Sequence, residues 1–236
     1  MNIVITMAGI GARFRAAGWT VPKYRIEVRG KTLFEWSMSS LESFRRWQFI
    51  FLVRREDQSR EFITSTCAGM GIEPRIIELD RLTKGQAETA LLASNVWQEN
   101  EPLMVYNIDT YVEPGQLRPE LLKGDGFIPC FAADGTHWSF VRLDSDGRAL
   151  EVQEKVRISD HCSIGAYYFR SAKLYSELYD EFYIQSKVEK EFYIAPMYNR
   201  LIERGGEVRI QSIDSKYVHV LGTPEEVEAF AQEVEV

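Results

Sequence analysis

The sequence predicts an α/β fold, a mixed, mostly parallel sheet flanked by helices, on three observations. Short apolar runs rich in β-branched or aromatic residues, Ile3–Ile5, Phe49–Val53 and Pro102–Tyr106, have the length and composition of buried strands. Amphipathic stretches of helical spacing alternate with them through the first half, as in parallel strands joined by right-handed crossovers. The second half changes to closely spaced strands with turn signals such as Asp144-Ser145-Asp146-Gly147, which extend the sheet in mixed order.

The first strand gives way at once to Met7-Ala8-Gly9-Ile10-Gly11-Ala12-Arg13-Phe14. Small residues there let backbone N–H groups approach a ligand closely, as a phosphate requires. Arg13 adds a permanent planar cation, and Pro22-Lys23 presents a second from a chain stiffened by proline. A glycine turn flanked by two cations points to a triphosphate site. The dinucleotide fingerprint begins in the same way but lacks its third glycine, Phe14 standing in its place, and no Walker Gly-Lys-Ser/Thr follows. A plain strand-to-helix turn with two surface cations is the alternative.

Tyr24–Val28 reads as a short extended piece and Gly30-Lys31 as a turn. Thr32 caps a helix through Leu33, Phe34, Trp36, Met38 and Leu41, and a further helix spans about Asp57–Met70, before a third strand at Arg75–Leu79. Leu82–Leu91, with Gly85, Gln86 and Thr89, is a small-residue turn entering a helix through Trp97. Gln86 suits a bidentate contact to a base edge, and a simple capped β–α loop is the alternative. Asp109, just past the Pro102–Tyr106 strand, sits where open α/β sheets bind ligands and offers a hard oxygen donor for Mg²⁺; the alternative is a turn-capping aspartate. Further strands are expected at Phe127–Ala132, Trp138–Leu143, Leu150–Glu154, Gly165–Phe169, Val208–Ile213 and Tyr217–Val220. Helices are expected at about Ser171–Phe182, Glu191–Arg204 and Pro224–Gln232, the last capped by Thr223. Glu154-Lys155 reads either as a solvated salt bridge or, beside a phosphate site, as a contact to a second substrate.

At 236 residues, without repeats or a linker, the chain is expected to be one domain with a nucleotide lobe at about 1–125 and an acceptor lobe at about 126–236. A formal charge of −7 argues against nucleic-acid or anionic-membrane partners, and no apolar run approaches membrane-span length. Cys67, Cys130 and Cys162 are odd in number and widely spaced, which with the absence of a leader pattern points to the cytoplasm.

Together these pieces resemble the sugar-phosphate nucleotidylyltransferase (pyrophosphorylase) superfamily, along nearly the whole chain. Gly9-x-Gly11-x-Arg13-Phe14 with Pro22-Lys23 and Gly30-Lys31 resembles its phosphate signature, and Gly85-Gln86-Ala87-x-x-Thr89 its nucleobase loop. Asp109 falls at its metal-binding aspartate, Val152–Lys155 resembles its Glu-Lys-Pro segment, Ser163–Phe169 its Gly-x-Tyr-x-Phe strand, and Gly222–Glu226 its terminal helix start. The departures are Ala12 for threonine, Val156 for proline, and Val220 where an aspartate is common. Glu191–Pro196 looks most like short bacterial enzymes of capsule and surface-polysaccharide pathways, some of them cytidylyltransferases.

The resemblance implies a Rossmann-like, GT-A-type fold and the joining of a nucleoside triphosphate, CTP slightly favoured, to a small phosphorylated acceptor with release of pyrophosphate. It implies Arg13 and Lys23 as catalytic groups, with Met7, Ala8, Gly9, Gly11, Gly85, Gln86 and Thr89 on the nucleotide. Glu154, Lys155 and Gly165 would meet the acceptor and Asp109 would hold Mg²⁺. A GT-A glycosyltransferase using a nucleotide sugar, or a catalytically silent nucleotide-binding protein, is the competing reading; oligomeric state stays open.

Overall fold

The computed structural model describes residues 1–187 and 191–232. Its elements, in chain order, are β1 (Asn2–Thr6), α1 (Ala12–Ala16), β2 (Glu27–Val28), β3 (Lys31–Thr32), α2 (Leu33–Ser39), β4 (Gln48–Arg54), α3 (Arg60–Gly69), β5 (Pro74–Leu79), α4 (Gln86–Leu91), β6 (Leu103–Asn107) and β7 (Thr110–Val112). Then follow β8 (Gly126–Phe131), β9 (Ser139–Leu143), β10 (Ala149–Glu154), β11 (Cys162–Ser163), β12 (Ala166–Phe169), α5 (Ala172–Tyr179), α6 (Tyr198–Glu203), β13 (Val208–Ser212), β14 (Val218–Val220) and α7 (Pro224–Gln232).

A ten-stranded mixed sheet runs β10-β9-β11-β8-β12-β6-β1-β4-β5, with β13 also beside β8. β1 lies parallel between β4 and β6, in a register that sets Thr6 opposite both Leu52 and Asn107. β12 runs antiparallel against β6 and joins the second half of the chain to the first. Alternation along the strands divides the core. Val4, Ile50, Leu52 and Val105 face α4, α5 and α6, while Ile3, Ile5, Phe49, Phe51 and Tyr106 face α2 and α3. A third cluster, of Phe14, Trp36, Leu221, Val227 and Phe230 among others, seats α7 against α1 and α2.

Several boundaries differ from expectation for identifiable reasons. Lys23–Arg25 is a 3-10 turn rather than extended, and the strand is confined to Glu27–Val28. α3 starts at Arg60 because Arg55–Asp57 forms a separate 3-10 turn ended by Gln58 at φ 46°. The helix after Gln86 tightens to 3-10 geometry at Leu92–Asn95, and α5 continues as a π-helical turn over Asp180–Gln185. Glu191–Ile194 is not helical. The Phe192 N–H donates to Lys84 O at 2.9 Å and its carbonyl accepts from Ala87 N at 2.8 Å, so its backbone groups are committed to the 84–87 loop; a 3-10 turn at Ala195–Met197 then leads into α6.

The expected cap of α2 is a reciprocal box: Glu35 N donates to Thr32 Oγ1 at 3.2 Å, and Thr32 N to Glu35 Oε2 at 2.8 Å. Thr32→Ala should lower unfolding free energy by about 1 kcal/mol. A urea midpoint shift with unchanged turnover is the expected reading.

Candidate active site

After Thr6 the chain leaves the sheet through an open loop to Gly11, whose φ of 66° favours a residue without a Cβ. The Met7 N–H is spent on Leu52 O at 2.9 Å. Among the described residues, the N–H groups from Ala8 to Phe14 find no acceptor. Unpaired N–H groups around a glycine turn form an anion-accepting nest. Met7, Ala8, Gly9 and the exposed Arg13 line a cleft of about 560 Å³ at the carboxyl ends of β1 and β6. Gly11 faces a second, adjoining hollow of about 370 Å³ instead.

Across the cleft, Gly85 precedes α4 at φ 152°, where a Cβ would lie 2.6 Å from the Phe192 carbonyl oxygen. Gln86 Nε2 donates to Thr6 Oγ1 at 3.2 Å and to Asn107 Oδ1, so the side chain at the start of α4 is fixed by the ends of two central strands. The Thr89 hydroxyl is engaged by Thr83 Oγ1 at 2.6 Å and Gly85 O at 3.0 Å; it shapes the loop. Gly165 lines the cleft too, but its φ of 81° and a would-be Cβ 2.4 Å from Asn107 Nδ2 explain the glycine locally: a side chain would displace Asn107, and with it Gln86.

Lys23 and Asp109 meet at the centre. Lys23 Nζ donates to Asp109 Oδ2 at 2.5 Å, with the two side chains 21% and 27% exposed. The backbone around Asp109 is held from both sides, Ile108 O accepting from Ser37 Oγ at 3.0 Å and Asp109 O from Leu221 N at 2.8 Å.

The opposite end of the cleft is acidic and aromatic. Glu154 accepts a hydrogen bond from Ser139, whose hydroxyl also meets Tyr167 OH at 3.0 Å. Burial raises the Glu154 carboxyl above its ordinary range; Ser139 and Lys155 offset part of this and Glu191 adds to it. Lys155 does not line the cleft. Its Nζ donates to Tyr193 OH at 2.5 Å, a contact that raises its pKa, and Tyr193 in turn donates to Glu191.

Thr6, Asn107, Ser139, Glu191, Tyr193 and Glu226 line the cleft and were not singled out from the sequence as site residues. Asn107 lies two residues before Asp109 and Glu226 inside the segment quoted for the terminal helix start, the nearest sequence signals to them. Glu191 and Tyr193 were hidden by the helix expected over them.

No family model and no curated protein matches the chain. Among solved structures, a nucleoside-diphosphate-sugar pyrophosphorylase from Vibrio cholerae RC9 aligns at 34% identity over 98% of this chain and 100% of its own, with a TM-score of 0.90. The chain belongs to the sugar-phosphate nucleotidylyltransferase superfamily. An inositol-1-phosphate CTP transferase from T. maritima, at 16% identity and TM-score 0.78, covers 100% of this chain and 98% of its own. A CTP:phosphocholine cytidylyltransferase from Streptococcus pneumoniae, at 16% and 0.76, covers 98% and 97%. These two share the fold. The protein is thus a nucleotidylyltransferase of Rossmann-like architecture. Among its described residues no helix is long and apolar enough to cross a membrane.

The raised Glu154 carboxyl has a measurable consequence for this nucleotidylyltransferase. Folded protein holds the Glu154 proton more tightly than unfolded chain does, so stability falls as pH rises from the ordinary carboxylate value through the raised one. Glu154→Gln removes that penalty and retains an acceptor for Ser139. The variant should melt higher than wild type at pH 7 and converge with it in acid; parallel melting curves across pH would refute the assignment.

Proposed function

We propose that this nucleotidylyltransferase joins a nucleoside triphosphate, CTP by preference, to a small phosphate monoester and releases pyrophosphate. The observation that carries the reading is the run of unpaired N–H groups from Ala8 to Phe14 beside Arg13 and Lys23, at the carboxyl ends of parallel strands. The nest, Arg13 and Lys23 grip the phosphates, with Lys23 at the α-phosphate and Arg13 on the departing pyrophosphate. Gln86, pinned by Thr6 and Asn107, meets the base. A monoester oxygen is already nucleophilic at neutral pH, so catalysis consists of positioning and charge neutralisation, with no general base.

The acceptor lies at the Glu154 end, where Lys155 acts with Tyr193 as a hydrogen-bonded pair. The preference for CTP rests on the wording of Glu191–Pro196 and on the two structural neighbours whose names carry CTP. A role in capsule or surface-polysaccharide precursor synthesis rests on that wording alone. A cytoplasmic setting is consistent with three cysteines that are all free and buried.

Mg²⁺ fits the donor set. Asp109 supplies a hard carboxylate oxygen in the cleft, and among the described residues no group of three or more His, Cys, Asp or Glu side chains gathers. That suits an ion held largely by substrate phosphates and water. When bound, the ion would neutralise charge on the triphosphate oxygens.

Arg13→Ala should cut pyrophosphate release by about 10²–10³ while leaving the melting temperature unchanged. Arg13→Lys should restore little of it, because one ammonium cannot reproduce a planar fork. Coupled pyrophosphate detection with each ribonucleoside triphosphate measures both, and wild-type rates in a folded Arg13→Ala protein would refute the reading.

A further inference from the structure

Val220 presents an apolar side chain to the cleft. β14 pairs with β7 so that Val220 stands opposite Thr110, next to Asp109 in the chain. A carboxylate reaches the same place from another direction. Glu226, in the first turn of α7, lines the cleft, and its Oε2 accepts from Gly222 N at 2.9 Å. A Cβ placed on Gly222 would lie 3.4 Å from Glu226 Oε2 and 3.6 Å from Asp109 Oδ2. The two carboxylates therefore face one small gap, which stays open because residue 222 has no side chain.

The gap is held in place by the fold. Leu221 N donates to Asp109 O at 2.8 Å, so the chain leading into α7 is tied to the aspartate itself. Glu226 N donates to Thr223 Oγ1 at 3.2 Å, and Val227 and Phe230 pack with Phe14 and Trp36 to seat the helix. Asp109 has the Lys23 ammonium as counter-charge, whereas Glu226 forms no ion pair among the described residues. A second carboxylate, fixed beside the first and lacking a cation of its own, is suited to a divalent ion, which one or two carboxylates with phosphates and water hold well.

We propose that Glu226 is the second protein ligand of the Mg²⁺ site at Asp109, supplying from α7 the charge that Val220 does not. The inference rests on the metal reading of Asp109 given above. Glu226→Gln is the informative variant, because its amide oxygen still accepts from Gly222 N and preserves the local fold. Mn²⁺ titrated into the free protein and followed by electron paramagnetic resonance reports binding without turnover. Losing an indirect metal partner already costs 10–100-fold in affinity, so Glu226→Gln should weaken Mn²⁺ binding by about tenfold or more. Adding Val220→Asp to that variant should recover the affinity. Gly222→Ala, which keeps both carboxylates but fills the gap, should weaken binding as well. Unaltered Mn²⁺ affinity in folded Glu226→Gln, with affinity lost in Asp109→Asn, would overturn the role of Glu226 alone. Unaltered affinity in Asp109→Asn would instead overturn the metal reading of Asp109.

Discussion

The contact between Lys23 and Asp109 is the constraint on which the cleft depends. It joins side chains 86 residues apart and forms because β1 lies directly beside β6, with Thr6 in register with Asn107. Both charges are mostly withdrawn from water, so removing either leaves the other poorly solvated and without a partner. In the proposed reading, a triphosphate would compete with Asp109 for the same ammonium. Phosphate binding to Lys23 would then free an oxygen of Asp109. The anchors, Ser37 to Ile108 and Leu221 to Asp109, come from α2 and the approach to α7, so two distant parts of the chain hold the backbone at Asp109.

From that pair outward the cleft is divided by sign. Unpaired N–H groups, Arg13 and Lys23 gather on the β1 side, while Glu154 and Glu191 stand at the far end among Trp138, Tyr167 and Tyr193. Burial of Glu154 is a cost the fold carries at neutral pH. Such a cost is common where a side chain is kept for function rather than for stability.

The order of strands and helices was legible because it depends on local pattern: apolar runs of strand length, helical spacing, and punctuation such as Thr32 before Glu35. The glycine turn after β1, Gln86, Asp109 and Glu154 were legible as short motifs, and the structure brings Met7–Ile10, Arg13, Gln86, Asp109 and Glu154 to one cleft. What was not legible depends on contacts distant in sequence. The stretch at Glu191–Ile194 has helical composition, but the backbone groups of Phe192 are committed to Lys84 and Ala87 instead of a helix. Lys155 next to Glu154 gives no hint in the sequence of its hydrogen bond to Tyr193, which lines the cleft. Gly165 belongs to a ligand motif, yet what requires a glycine there is Asn107 from the neighbouring strand. Glu226 could be read only as part of a helix start, since its nearness to Asp109 arises from the β14–β7 pairing and the packing of α7.

The clasp between Phe192 and the 84–87 loop has a thermodynamic consequence. Through it, the segment bearing Glu191 and Tyr193 shares two backbone hydrogen bonds with the turn that positions Gln86, and Gly85 leaves no slack between them. A shift of this turn pulls on the far wall of the cleft as well. In the proposed arrangement, with the base at Gln86 and the acceptor at Glu154, this clasp would couple the two substrates. If the nucleotide alters acceptor affinity by some factor, the acceptor must alter nucleotide affinity by that same factor. Discrimination between acceptors would then depend partly on the 84–87 loop.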